Sequence, residues 1–322
     1  VDFELSDDEL ALAEGMRSLC EKRFPLERLR AGEGRRLLDT GDWAALADAG
    51  VFSLTRPEPE GLGLGMAHAA VVFEELGRHL VPGPLVATHV GAPLVDGAAG
   101  GAVVVGLLWH DGPSAIPAVV ADLGSLDHLL VLGASGVRLV DPAAVDAVPV
   151  ERGIDPLTPL WQVRDVPAGD AVGDATVAAV LWRDHLVLSG ALLVGMASAT
   201  VTMAVTYAGQ REQFGKPIGA FQAVKHLCAD MLVRAETARS AVHAAAVTID
   251  QPDVGDPVRA AAGAALLAAE AAVHNGRACI QVHGGMGFTW EVPAHLYLMR
   301  ARVLADSLGP AAAMAELVAG RF

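Results

Sequence analysis

Residues 186–208, LVLSGALLVGMASATVTMAVTYA, run for 23 consecutive positions without a formal charge. A stretch of that length can cross a bilayer, so it has to be hidden either in lipid or in the middle of a protein. Five serine and threonine side chains, Ser189, Ser198, Thr200, Thr202 and Thr206, are interleaved in it, and Gly190 and Gly195 thin one side. Small residues let helices approach closely, and the hydroxyls favour protein neighbours over lipid. The run is therefore expected to be the central helix of a bundle, buried by bundle and subunit contacts, with no membrane involved.

Composition agrees with an extensive core. A chain of 322 residues has room for two or three domains, and 52% of it is apolar against 19% charged. Aromatics make up only 5%, so much of the interior is expected to be small aliphatic residues between helices. The net charge is −15, with scattered acids and no basic patch, which argues against a nucleic-acid partner. Cys20, Cys228 and Cys279 are far apart and odd in number, forming neither a metal-ligand spacing nor a disulfide framework. They suit a reducing cytoplasm, the expected location, and VDFELSDDEL lacks the basic-then-apolar pattern of a signal.

Along the chain, Ser6 with Glu9 forms a capping box for a helix over 5–24, with Leu10, Leu12, Met16 and Leu19 at helical spacing and Pro25 as its stop. Asp42 is placed to cap a short helix that closes at Gly50, and an amphipathic helix runs to Leu80 before the break at Pro82–Pro84. Near residue 100 the texture changes to short β-branched runs split by Gly, Pro and Asp: GAVVVGLLW, AVVADL, HLLVLGASGVRLVD and VPVERG. From 181 helical periodicity returns, interrupted by the linker-like TIDQPDVGDP at 248–257. Three domains are expected: helical over 1–97, a small β-domain over 98–180 and a helical bundle over 181–322.

Two stretches carry chemistry. In REQFGKPIGAFQAVKH, residues 211–226, the long helix is expected to end near Gln210 and Gly215-Lys216-Pro217 to turn the chain into the next helix. The Arg211 guanidinium there can grip a phosphate in a bidentate way, Phe214 can cover an aromatic ring or ribose, and the Gln222 amide can reach back to the same ligand. The competing explanation is a solvated helix end with Phe214 in the core. In CIQVHGGMGFTWEVP, residues 279–293, Gln281 and His283 precede Gly284, Gly285 and Gly287, whose backbone can approach a ligand or a neighbouring helix. The spacing is not G-x-G-x-x-G and no strand precedes it, which excludes a dinucleotide-binding turn. His283 alone reads as a core histidine.

As a pair, REQFGKPIGAFQ and QVHGGMGF closely resemble the acyl-CoA dehydrogenase family, and VDFELSDDE, VPAHLYLMRARVL and the helix–β–helix order agree over the whole chain. The resemblance implies a mainly α fold with a small β-domain: a helical N-domain, a reduced β-domain and a C-terminal four-helix bundle. It implies an enzyme that removes a proton α to a thioester with a carboxylate and passes the β hydrogen as hydride to FAD. The two stretches would then reach the pyrophosphate and adenosine half of an FAD held mainly by a neighbouring subunit. Arg211, Gln213, Phe214, Ile218, Gln222, Gln281, Gly284 and Gly285 become the expected cofactor contacts.

The chain departs from that family in two places. The Thr-Glu-Pro-x-x-Gly-Ser-Asp and Trp-Ile-Thr type stretches that hold the flavin ring are missing between 96 and 180, and the nearest fragments, GSLDH and TRPEPEG, lie in the wrong places. The family's catalytic Glu position falls on Leu308, leaving Asp184, His185 and Asp306 as near misses, and proton abstraction demands hydrogen-bond reach. A chain with the adenosine-side motifs and without the base is similar to the short subunits of actinobacterial heteromeric (α2β2) acyl-CoA dehydrogenases of steroid and side-chain catabolism. That similarity implies a second dehydrogenase subunit as partner, an acyl-CoA substrate and an electron-accepting flavoprotein. The alternatives are a self-sufficient homotetramer with a relocated base and a scaffold that no longer binds FAD.

Overall fold

The computed structural model describes residues 5–31, 39–112 and 117–320, so Val1–Glu4 of the opening VDFE lie outside the described residues. Helices come first: α1 (Asp7–Arg23), α2 (Leu26–Ala31), α3 (Thr40–Asp48), α4 (Met66–Arg78) and α5 (Leu85–Gly91). Seven strands follow: β1 (Val105–Trp109), β2 (Val119–Ala121), β3 (His128–Gly133), β4 (Gly136–Val140), β5 (Asp146–Pro149), β6 (Leu160–Asp165) and β7 (Asp170–Gly173). Then come α6 (Ala175–Gln210), a hairpin of β8 (Glu212–Gln213) and β9 (Lys216–Pro217), α7 (Gln222–Asp250), α8 (Pro257–His283), α9 (Ala294–Ser307) and α10 (Ala311–Ala319). Two compact units divide the chain: Val1–Ala31, Met66–Val81 and Leu186–Phe322 in one, Gly32–Gly65 and Pro82–His185 in the other.

Apart from the β8–β9 hairpin, the first unit is helical, with α6 from Leu186 onward among its helices. Of the most apolar 18-residue window of that helix, 78% is buried, so the uncharged run is a protein core. Three of its hydroxyls bond inside the helix, Ser198 to the Val194 carbonyl at 2.8 Å, Thr200 to the Ala197 carbonyl at 2.7 Å and Thr202 to the Ser198 carbonyl at 3.1 Å. The glycines make close approaches within the chain. A Cβ on Gly195 would stand 1.9 Å from the Glu74 carbonyl oxygen, and one on Gly77 would stand 2.0 Å from that of Leu192. The thin side at Gly195 therefore faces the chain's own α4.

Packed there, α4 is held by distant residues at both ends. Its first amides, Met66 and Ala67, donate to the Asp250 carboxylate at 2.7 and 3.0 Å, and the Tyr297 hydroxyl donates to the Arg78 carbonyl at 2.8 Å. Midway, the buried Glu74 pairs with Arg239 at 2.9 Å and Arg78 at 3.3 Å, and His243 lies 3.4 Å away. Burial by itself would raise the Glu74 carboxyl, but the His243 contact and the Arg239 charge outweigh it and hold it down at about 2.

The capping box of α1 is present, but Met16 is the one member of the expected stripe that is fully buried, with Ala13 and Cys20, while Leu10 is 51% exposed. A second correction concerns α3. Asp39 is its N-cap, accepting from the Asp42 amide at 2.7 Å, and Asp42 sits buried within the first turn. Both acids precede the apolar residues at plausible distances, so spacing alone could not choose between them.

In the second unit, one sheet has the order β1-β3-β4-β7, with β1 and β3 parallel and the other pairs antiparallel; the other sheet, β2-β6-β5, is antiparallel. Leu108, Val120, Leu129, Val131, Val140 and Val163 form the core of this unit. Thr88 of α5 exchanges two 3.2 Å hydrogen bonds with the backbone of Val105, closing the first residue of β1 as a neighbouring strand would. The fully buried His89 lies 2.8 Å from the Val51 carbonyl through Nδ1 and 3.1 Å from Thr55 through Nε2, and burial pushes its imidazole down to about 4.

Candidate cofactor site

At the end of α6 the chain turns back on itself in two residues. Gln213 pairs with Lys216, and Phe214 and Gly215 occupy the turn with φ of 54° and 76°. Positive φ at both positions matches the right-handed twist of a tight hairpin, and it is rare for an aromatic residue. The Ile218 amide donates to the Arg211 carbonyl at 2.7 Å, closing the hairpin, and Phe221 packs its ring 6.1 Å from Phe214 and beneath Lys216 Nζ at 4.5 Å. The result is a Phe214 side chain that is 92% exposed, contrary to a core role. Arg211, Gln213 and Gln222 are exposed as well, and Ile218 is half-buried.

The second stretch ends α8. Gln281 is exposed on its last turn, Gly284 breaks the helix with φ 62°, and a short 3-10 turn covers Gly284–Phe288. A Cβ at Gly284 or Gly285 would meet nothing within 4 Å, so both present open backbone. Gly287 is different, because its Cβ would strike the Ile280 carbonyl at 2.4 Å; it permits the turn itself.

One apolar cluster brings the two stretches together. Ala204 and Ala208 of α6, Ile218, Val224 and Met231 from the hairpin side, Ile280 and Val282 of α8 and Ala294 of α9 pack in it. Tyr207 stacks on His283 at 4.2 Å between ring centroids, tying the end of α6 to the end of α8. His283 is a core histidine, its Nδ1 2.8 Å from the Cys279 carbonyl, and burial pushes the Cys279 thiol up to about 12, so the two are no nucleophile pair. Among the described residues no group of three or more His, Cys, Asp or Glu is arranged to hold a metal ion.

Sequence reading missed two features of this end of the bundle. The chain has three lysines, and two of them, Lys216 on the hairpin and Lys225 in the first turn of α7, are exposed in a protein of net charge −15. Counting lysines separately from arginines would have found this. Phe288 and Trp290, 82% and 50% exposed, add large apolar surface that only the structure reveals. Cations, amides, open backbone and uncovered aromatic rings are the chemistry an adenosine diphosphate group needs.

The base candidates fare otherwise. Leu308 caps α9 and is 1% exposed, and Gly309 follows with φ 88°. Asp306 is exposed on the last turn of α9. Asp184 accepts from Arg183 Nε at 2.7 Å. His185 stacks on Trp182 at 5.2 Å, and burial pushes its imidazole down to about 4. Of the GSLDH fragment, Asp127 accepts from the Val104 amide at 2.7 Å, a structural role at the start of β1.

Residues 6–98 match the acyl-CoA dehydrogenase N-terminal domain and residues 187–322 the acyl-CoA dehydrogenase C-terminal domain. Acyl-CoA dehydrogenase IpdE2 of Mycolicibacterium smegmatis is 32% identical over 321 residues, covering 95% of this chain and 96% of the relative. Acyl-CoA dehydrogenase FadE34 of Mycobacterium tuberculosis is 38% identical over 284 residues, 83% of this chain, yet the match spans only 40% of FadE34. Among solved structures, a variant of the Tcur3481–Tcur3483 steroid ACAD superposes with a TM-score of 0.81 at 25% identity, covering 98% of this chain and 97% of that one. The chain belongs to the acyl-CoA dehydrogenase family and has its fold.

Proposed function

We propose that the chain is the short subunit of a cytoplasmic, two-subunit (α2β2) acyl-CoA dehydrogenase that uses FAD and desaturates an acyl-CoA thioester, steroid-derived in the case its relatives favour. One observation carries this reading. The family's base position is a buried leucine, Leu308, while Arg211, Gln213, Gln222 and Gln281 are exposed on the two stretches that one apolar cluster brings together. Arg211 holds the pyrophosphate, aided by the charges of Lys216 and Lys225. Gln281 and Gln222 bond the remaining oxygens, and Gly284–Gly285 let backbone come close. When bound, FAD supplies the acceptor for the β hydride. The partner subunit contributes the carboxylate that takes the α proton, and an electron-accepting flavoprotein reoxidises the assembly. Two further facts support a paired subunit: FadE34 is long enough to hold a second unit beyond the matched 40%, and the steroid ACAD couples two differently named chains. Domains at 1–97, 98–180 and 181–322 serve as the working division.

The test is an absorbance spectrum and an acyl-CoA oxidation assay with an artificial acceptor, on the chain alone and on the chain co-expressed with the dehydrogenase-like product of a neighbouring gene. Flavin and turnover are expected in the co-expressed complex and not in the isolated chain. A yellow, active isolated chain would replace this reading with the self-sufficient homotetramer, and Asp184→Asn and Asp306→Asn would then locate the base.

A further inference from the structure

Asn275 lies in the middle of α8 with no exposed surface. Its Oδ1 accepts from Arg234 Nε of α7 at 3.0 Å; its Nδ2 donates to the Met231 carbonyl of α7 at 2.8 Å and reaches the Ala197 carbonyl of α6 at 3.5 Å. The next residue, Gly276, admits α9, since a Cβ there would stand 3.0 Å from Leu298 Cα. Two adjacent residues thus register α8 against three other helices. Both carbonyls lie within helices whose own ladders use them, so neither depends on Asn275 for a partner. What the carboxamide adds is direction: apolar packing tolerates several axial offsets and rotations, whereas a buried, bonded amide accepts one.

From Asn275 the helix continues for about two turns, roughly 9–12 Å, to Gln281 and His283. There the Tyr207 stack and the shared apolar cluster set the end of α8 beside the end of α6. A rotation of α8 at Asn275 would carry Gln281 and the open Gly284–Gly285 backbone away from the Arg211 hairpin.

We infer that Asn275 is a positioning residue for the FAD-binding end of the bundle, fixing the register of α8 so that Gln281, Gly284 and Gly285 face the ligand held by Arg211. This inference rests on the FAD reading above. It is tested by FAD titration and thermal unfolding of the purified two-subunit complex carrying Asn275→Leu, which keeps the branching and the number of heavy atoms and leaves the Arg234 guanidinium free to turn to solvent. The expected result is an unfolding midpoint equal to or above that of the unmodified complex, with FAD affinity lowered about tenfold or more, the scale on which small misplacements of binding groups act. Asn275→Asp, which keeps the acceptor for Arg234 and loses the donor to Met231, should weaken FAD in the same direction. Unchanged FAD affinity in a folded Asn275→Leu complex, with Arg211→Ala clearly weakened, overturns the positioning role and leaves the FAD reading intact. Equal FAD affinity in the unmodified complex and Arg211→Ala overturns the Arg211 contact and this inference together. Failure of both Asn275 variants to fold also overturns it, because Asn275 would then serve the fold and not the site.

Discussion

Arg211 is exposed at the base of a closed hairpin, so its side chain can be removed without opening a cavity. Arg211→Ala should leave thermal unfolding of the two-subunit complex unchanged. FAD binding should weaken by the roughly 1.5–3 kcal/mol of a charge-assisted hydrogen bond, about ten- to a hundredfold. Arg211→Lys should recover only part, because an ammonium cannot make the planar two-point contact. Flavin titration separates the three proteins, and equal affinities would mark Arg211 as a solvated helix-end charge. A different residue-scale effect comes from His89. Its imidazole is held near 4 when folded against an ordinary value of 6.5, so between those values the unfolded chain binds the extra proton and the folded chain does not. Stability is therefore complete above pH about 6.5 and declines as pH falls toward about 4. His185 adds to the same window, and Glu74, held down at about 2, loses its contribution only below its ordinary value of 4.5. Thermal midpoints across that range should fall with acidification, and His89→Gln should flatten the slope while lowering the midpoint overall. An unaltered slope in a folded variant would refute the assignment.

For elements, α4 shows most clearly how a helix depends on the rest of the fold. Its N-terminus lacks a neighbouring cap, and Asp250, 184 residues away along the chain, does that work. Asp250→Ala should cost about 1–2 kcal/mol, the range for losing an N-cap, with the first turn of α4 exchanging its amide protons faster. Denaturant unfolding together with hydrogen exchange checks both, and protection of Met66 and Ala67 in the variant would contradict it. Gly195→Ala tests the opposite face of the same helix. Its methyl would collide with α4 backbone, and overpacking of this kind costs about 1–3 kcal/mol, more where backbone must move. The loss should appear in the isolated chain, because the contact lies within it; a loss confined to the assembled complex would place the contact between subunits instead.

At the scale of the whole molecule, the proposed function puts the base in one chain and the adenosine-side grip in another, so activity should require both. Mixing separately purified subunits with FAD should generate turnover that rises to saturation as the partner is added, while Leu308→Glu should not confer activity on the isolated chain. That carboxylate would replace a buried leucine, and it should lower the chain's own stability instead. Acyl-CoA oxidation by isolated Leu308→Glu would show that the site needs only a base to be complete.

Several features were legible in the sequence because they depend on neighbours a few residues apart. The α1 capping box, the stop of α6 at Gln210 and the linker between α7 and α8 all follow from local backbone chemistry. Strands β6 and β7 were not singled out, since short half-exposed runs carry little period-2 signal and gain their pairing from strands elsewhere. Asp39 took the cap of α3 in place of Asp42, a choice made by backbone geometry between two similar acids. Of the site, sequence alone determined which residues are chemically fit to grip an anionic cofactor. Only tertiary structure decided that Phe214 points outward, that Gly195 faces α4, that Leu308 is sealed in the core and that Arg211 and Gln281 share one end of the bundle. Those outcomes depend on contacts between residues tens to hundreds of positions apart, and no local pattern encodes which distant surface will arrive to cover a side chain or leave it open.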